Sequence, residues 1–246
     1  MAAACLVSSY DNVSWKLTSK TLRKQISGAL PSHYIRDILD GAWAGSGDSR
    51  AYRLVWDESY DPSTGSNVRK ASSHYHAPVT RQDFVKVFDN WNEDQLKKSQ
   101  TDRPNTSKEA RIVLLLAYSS IVSFQSNAQI EFELEHLYPV KHIKGKIGIS
   151  GIGWPISAIG NLALLDKKHN RIKGEKLLGD YLPSLLNRKK KPIEQAEVDL
   201  INRYIIHPDY TQIVDSASFD LAHFKSFCTE RSEAIRDLIA QNTSMP

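Results

Sequence analysis

The sequence predicts a mostly helical α+β protein in which a short β-hairpin and its following helix lie between helical segments. Its composition, 41% hydrophobic and 24% charged over 246 residues, is that of a globular chain long enough to bury a core. Apolar residues follow helical spacing on both sides of residues 130–137, which instead alternate with a period of two. We therefore expect a mainly helical N-terminal lobe over 1–129, a core over 130–180 and a helical C-terminal segment over 181–246 that packs on the core.

The first 66 residues predict helices, loops and a turn. Apolar positions from Leu17 to Leu39 have near-helical spacing, and Pro31-Ser32 predicts a break and a new helix start. Glycine-rich residues 41–47 indicate a loop, and residues 50–56 fit either a short helix or a strand. Residues 61–66, Asp-Pro-Ser-Thr-Gly-Ser, are typical of a turn.

Two more helices and an intervening loop are expected before the hairpin. Thr80 is a candidate N-cap for a helix with one apolar face. The polar residues 92–107 predict a surface loop, and the apolar residues 108–124 predict a buried helix. The residues on the apolar face of the first helix are Phe84, Val87, Phe88 and Trp91.

The first strand of the hairpin is expected over residues 130–137, where apolar residues alternate with glutamates. This parity would place Glu133 and Glu135 on one face and His136 on the other, unless the strand is already turning at its end. Pro139 indicates a turn at the end of the strand, because proline cannot continue a central ladder.

The rest of the chain completes the hairpin and adds helices. Glycine- and isoleucine-rich residues 144–155 predict a flexible loop, residues 161–165 a second short strand, and residues 166–178 a helix. Helices are also expected over residues 193–204 and 219–240. No internal repeat and no glycine-rich phosphate loop of the Walker or dinucleotide type is recognised in the sequence.

Cysteine usage and hydropathy exclude several classes of protein. The only two cysteines, Cys5 and Cys228, lie far apart in the sequence. They therefore predict neither a disulfide framework nor a zinc ribbon of Cys-x-x-Cys motifs. The N-terminal residues lack the basic region and apolar length of a secretory signal. No apolar stretch approaches the roughly 20 residues that span a bilayer. We therefore expect a cytoplasmic protein that does not engage a membrane.

The chemistry is indicated most clearly by a histidine and an acid followed by two asparagines. Hydrolysis of a phosphodiester needs an activated water and a cation that neutralises charge on the transition state. His136 is a candidate general base, and Glu135 and Asn170 are candidate oxygen ligands for a hard divalent cation. Asn161 would brace the loop after His136, and Lys173 could reach a phosphate. Each residue alone equally fits a structural or solvated side chain, so the ordered set carries the hypothesis.

Positive charge is concentrated around these residues. Between Val140 and Lys191 there are twelve Lys or Arg and three Asp or Glu, a net charge of +9, whereas the remainder of the chain carries −5. A lysine-rich solvated surface would give the same run of charge. Its coincidence with the candidate site favours a polyanion such as nucleic acid as the partner.

Three motifs carry a resemblance to a known family. Glu135-His-Leu-Tyr-Pro139, Ile159-Gly-Asn-Leu-Ala-Leu-Leu165 and Asn170-Arg-Ile-Lys173 resemble the His-Asn-His (HNH) endonuclease superfamily with its ββα-metal fold. More narrowly, they resemble the C-terminal nuclease domain of GmrSD-type modification-dependent restriction proteins and related phage-defence nucleases. The resemblance covers roughly residues 130–180.

The resemblance implies a metal-dependent DNA endonuclease of bacterial defence, cytoplasmic, that nicks DNA or cuts both strands. It implies His136 as general base, Asn161 as the residue that fixes the loop, and Glu135 and Asn170 as ligands of Mg²⁺ or Mn²⁺. Basic residues would bind the nucleic acid, and the candidates are Lys173, Arg171, Lys168 and Lys141.

Two departures from the family pattern affect what is carried over. The acid before His136 is a glutamate where many members have aspartate, so its longer arm could bind the metal through water. The nucleotide-hydrolysing sensor domain that usually accompanies this nuclease is not recognisable, so we expect it on a partner domain or subunit. Two alternatives remain: a catalytically inactive HNH-like domain that binds nucleic acid or protein, and a secreted nuclease toxin, which the absence of export features disfavours.

Overall fold

The structure is a computed structural model that describes residues 20–42, 56–71, 73–99, 106–120, 132–147, 150–177, 180–181 and 220–246. These residues form a mixed α+β fold that is mostly helical and contains two small antiparallel sheets, which confirms the predicted class at that level. The chain divides into two compact units, Met1–Phe88 with Thr243–Pro246 and Asp89–Asn242. The predicted domain boundary after residue 129 lies outside the described residues.

Helix α1, Lys20–Leu39, continues through Pro31, so the predicted break is wrong. Proline removes one backbone hydrogen bond and frees the carbonyl four residues earlier, which belongs to Ser27. Pro31 and Ser27 are both exposed, so water can hydrate the freed carbonyl. The helix is retained because its other face is buried through Ile26, Ala29, Ile35 and Leu39.

A hairpin follows in the first unit, formed by β1, Trp56–Asp61, and β2, Ser66–Ala71. The predicted turn lies between them, where the Asp61 carboxylate accepts hydrogen bonds from the Ser63 backbone N–H at 2.9 Å and the Ser63 hydroxyl at 2.7 Å. Gly65 has φ +64°, the left-handed conformation that favours glycine. The second strand was not predicted, because its sequence, Ser-Asn-Val-Arg-Lys-Ala, lacks an apolar alternation.

Helix α2, Arg81–Lys98, begins at the predicted N-cap. The Thr80 hydroxyl accepts the Asp83 backbone N–H at 3.2 Å and donates to the Asp83 carboxylate at 2.8 Å. The surface loop predicted from residue 92 is wrong as far as Lys98, because the helix extends to that residue. The buried face of the helix includes a polar residue, Gln95, whose amide donates to the Trp91 carbonyl at 3.2 Å. Because Gln95 is polar, the apolar spacing of the sequence does not extend to this part of the helix.

The second unit holds the predicted hairpin and the helices around it. Helix α3 lies inside the predicted 108–124 helix, and the last helix matches the predicted 219–240 helix closely, whereas the predicted 193–204 helix lies outside the described residues. None of the helices in the described ranges is long and apolar enough to cross a membrane. In chain order the elements are α3 Ala110–Tyr118, β3 Phe132–His136, α4 Val140–Ile147, β4 Leu162–Asp166, α5 Lys167–Lys173 and α6 Leu221–Asn242.

Helix α4 occupies part of the segment that was predicted to be a flexible loop. Its apolar residues, Val140, Ile143 and Ile147, have the i, i+3, i+7 spacing of a helix, but Gly145 and the lysines between them favoured a loop in the prediction. Its one fully buried side chain, Ile143, joins the core, and Val140 and Ile147 pack partly against the same core. Tertiary burial of this narrow stripe therefore stabilises a helix that local propensity does not predict.

Strands β3 and β4 pair antiparallel, with Phe132 opposite Asp166 and His136 opposite Leu162. Helix α6 covers the segment that leaves β3, where the Tyr138 ring centroid lies 5.1 Å from those of Phe224 and Phe227. These aromatic rings belong to a buried core that also includes Leu165 and other residues of the hairpin. The packing fixes the end of β3 and the turn before β4 against one rigid helix.

Candidate functional site

The predicted ligands and base converge at the C-terminal end of β3. The strand register places Glu135 opposite Ala163 and His136 opposite Leu162, and α5 begins directly after β4. Asn170, which lies in this helix, is therefore close to the end of β3. Glu135, His136 and Asn170 line one cleft of about 390 Å³.

Asn161 is fully buried and braces the loop that follows His136. Its amide nitrogen donates to the carbonyls of Tyr138 at 3.1 Å and Ile156 at 2.8 Å, while its side-chain oxygen accepts the Tyr138 backbone N–H at 2.8 Å. Its own carbonyl accepts the Leu137 N–H at 2.8 Å. Because the carboxamide uses both of its N–H groups and its oxygen on backbone atoms, Asn161 has the bracing geometry that was expected of it.

The short 3₁₀ turn Ile159–Asn161 that carries this asparagine is itself held by α6. The buried guanidinium of Arg231 donates to the carbonyls of Ile159 at 2.9 Å and Gly160 at 3.0 Å. A Cβ at Gly160 would collide with the backbone carbonyl of Cys228. Arg231 was not predicted as a site residue. The sequence does indicate that it is unusual, because this charged residue lies seven positions after Phe224, on the apolar face of the predicted last helix.

His136 is a neutral imidazole near pH 7. Burial, with a smaller contribution from the charge of Lys173, lowers the pKa of His136 to about 4. Its Nε2 atom lies 3.3 Å from the Ser157 hydroxyl, which orients the ring. Among the described residues no partner is recorded for Nδ1, so that nitrogen is available to the cleft. Ser157 gave no signal in the sequence, because it lies outside the motifs.

Lys173 has a different environment from the one expected of a phosphate contact. Its side chain is wholly buried, and Nζ donates to the Glu135 carboxylate at 2.7 Å and to the His136 carbonyl at 2.9 Å. Burial lowers the pKa of Lys173, and the smaller effect of Glu135 raises it. The position of Lys173 thus corrects the expectation: it is an internal partner of the acid, and its ammonium does not face a polyanion.

Glu133 is a site residue that sequence reasoning did not single out. Its carboxylate accepts a hydrogen bond from the Asn170 amide nitrogen at 2.8 Å. Because the nitrogen of the carboxamide faces Glu133, the Asn170 oxygen is turned away from it and can serve as a ligand. Glu133 and Glu135 both contact α5, as the strand parity predicted.

Two of the other three predicted nucleic-acid contacts, Arg171 and Lys141, lie around the same cleft. Arg171 and Lys141 are exposed and line it, and Lys141 forms an ion pair with Glu175 at 2.6 Å on the surface. An exposed pair of this kind contributes little to stability, so Lys141 can exchange its partner for a phosphate. The side chain of Lys168 is not among those that the structure describes.

The cleft therefore combines two oxygen ligands, a neutral imidazole and exposed basic side chains. Such a set can hold a hard divalent cation and accept a proton from water. No protein-family model, no curated protein and no solved structure matches the chain. What the site does is consequently argued from its own residues.

Proposed function

We propose that this chain is a metal-dependent endonuclease of the HNH type that hydrolyses phosphodiester bonds of DNA. The observation that carries the proposal is the convergence of Glu135, His136 and Asn170 on one cleft. The loop after His136 is braced by Asn161, which is the arrangement that the three motifs imply. An effector nuclease of bacterial defence, acting in the cytoplasm beside a sensor domain or subunit, is the biological setting that we propose with it.

The donor atoms at the cleft fit Mg²⁺, with Mn²⁺ as an alternative. The second carboxylate oxygen of Glu135 and the amide oxygen of Asn170 are hard ligands, and Mg²⁺ commonly binds through one or two protein ligands while keeping several waters. When bound, the ion would neutralise charge on the phosphate and on the departing oxygen. Glu133 orients Asn170, and Lys173 orients Glu135.

His136 would accept the proton of the attacking water. Its lowered pKa of about 4 keeps the imidazole neutral at pH 7 but makes it a weak base. Of the two charges proposed for the cleft, a phosphate anion would raise the pKa of this histidine and a bound cation would lower it. Ser157 holds the ring in place during the transfer.

The charge around the cleft supports a nucleic-acid substrate, and the resemblance of the three motifs favours DNA. Arg171 and Lys141 are exposed there, within the segment Val140–Lys191 that carries a net charge of +9. Contacts of this kind are made to the phosphate backbone and carry no sequence information directly. Weak sequence preference is therefore expected of the nuclease.

The alternative is an HNH-like domain that binds nucleic acid without turnover, and one observation favours it. Lys173 already satisfies one oxygen of Glu135 with a buried ammonium. A cation beside that ammonium would meet electrostatic repulsion, which weakens metal binding. The exposed basic residues would serve a binding domain equally well.

The two functions are separated by nicking of supercoiled plasmid in Mg²⁺ or Mn²⁺. His136→Ala should lower the rate by roughly 10²–10⁴-fold, the usual contribution of a general base, while DNA affinity measured by fluorescence anisotropy stays the same. The matched control is His142→Ala, a histidine of the neighbouring helix α4 that does not line the cleft. This control should nick at the wild-type rate.

Two results would overturn the proposal in different ways. If the wild type binds DNA but nicks it with neither metal, the chain is a binding domain. If His136→Ala nicks as fast as the wild type, a nuclease is present but the assigned base is wrong.

A further inference from the structure

Three side chains that could hold a metal ion lie close together in the first unit, and none of them belongs to the three motifs. His33 and Asp37 are one helical turn apart on α1, so they share a face, and His74 comes shortly after β2. One ligand atom from each residue lies within 4.8 Å of the others. His33 and Asp37 are buried, with 4% and 1% of their surface exposed.

His33 is oriented as metal-binding histidines usually are. Its Nε2 atom lies 2.9 Å from the Ala77 carbonyl oxygen, which can only accept a hydrogen bond. The proton is therefore on Nε2, and Nδ1 presents a lone pair to the group. Burial is the main reason that the pKa of His33 is lowered, which favours the neutral ring.

Arg36 places a cation at the centre of the three side chains. One of its guanidinium nitrogens, Nη2, donates to His33 Nδ1 at 3.2 Å and to His74 Nε2 at 2.8 Å. Since a guanidinium only donates, both imidazole nitrogens must present lone pairs to the same point. The Arg36 Nε atom is 2.7 Å from the Asp37 carboxylate but is buried without making a hydrogen bond. The guanidinium is therefore hydrogen-bonded to both imidazoles and held to the carboxylate mainly by charge.

We propose that His33, Asp37 and His74 form a binding site for a divalent transition-metal ion, with Zn²⁺ as the best match, and that the ion and the Arg36 guanidinium compete for it. A tetrahedral zinc site with bonds of about 2.0–2.1 Å holds its ligand atoms roughly 3.4 Å apart. The distances between the three ligand atoms, now up to 4.8 Å, would therefore shorten by about an ångström on binding. The Arg36 side chain is 22% exposed and can swing out to water.

The donor set determines which ion this site selects. Two imidazoles and one carboxylate suit Zn²⁺ and its neighbours in the transition series, whereas Mg²⁺ requires oxygen ligands. Three protein ligands leave a fourth position for water, as in zinc sites that perform chemistry. This inference does not depend on the proposed nuclease, because it uses none of the residues of the cleft.

The test is titration calorimetry with ZnCl₂ on the full chain carrying His136→Ala, which removes the imidazole of the cleft. One ion should bind per chain, and His74→Ala should weaken binding roughly tenfold or more. Arg36→Met should tighten it by roughly tenfold or more, because removal of a competitor raises the fraction of sites ready to bind. His76→Ala, a histidine two positions from His74 and outside the group, should bind as the parent does.

A purely structural polar network gives different results. In that case neither the parent nor Arg36→Met binds Zn²⁺ stoichiometrically, although circular dichroism shows both folded, and the proposal is wrong. It is equally wrong if His74→Ala and His76→Ala bind with the same affinity. Titration with CoCl₂ adds a readout that does not depend on stability, since ligation by His33 and His74 should give visible absorption bands that His74→Ala loses.

Discussion

Burial gives His136 a second consequence besides its candidate role as a base. The pKa of this histidine is about 4 in the folded protein, against an ordinary value of 6.5. Between these two values the unfolded chain binds a proton that the folded chain does not bind. The free energy of unfolding must therefore fall as the pH falls through this window, and the contribution is fully present only above it.

This pH dependence can be measured by urea denaturation of the wild type and of His136→Gln at pH 7.5 and pH 4.5. The glutamine keeps a hydrogen-bonding group near Ser157 but does not titrate. On going to the lower pH, the wild type should lose on the order of 2–3 kcal/mol more than the variant, from about 1.4 kcal/mol for each unit of pKa shift. An equal loss in both proteins would show that the imidazole is not held neutral by the fold.

Single residues of the site could be predicted only where the motif itself carries them. His136 and Asn161 were assigned roles from their order along the chain. Glu133, Ser157 and Arg231 were missed, because their roles depend on strand register and on contacts between segments far apart in sequence. The same limit explains Lys173, whose burial beneath Glu135 no local pattern indicates.

At the scale of elements, the site depends on how closely α6 approaches the turn before β4. Gly160 allows this approach, because any side chain there would meet the backbone carbonyl of Cys228. Arg231 then ties the same turn to the helix through two carbonyls. Asn161 is the next residue, so its position is set by a contact between helix and turn backbone.

Gly160→Ala should therefore destabilise the protein by about 1–3 kcal/mol or more, the usual cost of overpacking a core. It should also lower any nicking activity, because displacement of the turn moves Asn161. The matched control is Gly145→Ala in α4, where an added Cβ meets no atom within 4 Å. Alanine favours helix over glycine by about 0.8–1.0 kcal/mol, so this variant should be as stable as the wild type or slightly more stable. Urea denaturation compares the two, and equal destabilisation would contradict the close-approach argument.

Elements were predicted well where apolar periodicity is strong and poorly where tertiary packing decides. Both strands of the second hairpin and the last helix were expected within a few residues of where they lie. Strand β2 was missed because its residues lack an apolar alternation, and helix α4 because its glycine and the glycines that follow it favoured a loop. Helix α1 was interrupted in the prediction at Pro31, although burial of one face maintains it there.

At the scale of the whole molecule, charge is distributed unevenly between segments. Residues 140–191 carry a net charge of +9 and the remainder −5, so the positive charge is concentrated in one segment of the sequence. Several basic side chains of the described part of this segment are exposed, among them Lys144, Lys176 and Arg171.

Binding to a DNA duplex, measured by anisotropy in EDTA to prevent cleavage, should weaken steeply with salt. The logarithm of the association constant should fall by about 0.9 per phosphate contact for each logarithmic unit of salt. Arg171→Glu with Lys176→Glu should lower both the affinity and this slope. The same charge change at Arg23 and Lys24, which are exposed on α1, should leave the slope unaltered. Equal effects of the two pairs would mean that net charge alone, and not a localised surface, governs binding.

The buried ammonium of Lys173 beside Glu135 bears on whether the protein needs a metal ion in order to fold. The ammonium of Lys173 neutralises the charge of the Glu135 carboxylate, so this carboxylate has a counter-ion even without a bound metal. In small zinc domains the metal is required for folding, and chelators unfold them. Because Lys173 already neutralises Glu135, we expect a chelator to abolish the activity of the proposed nuclease without unfolding the protein.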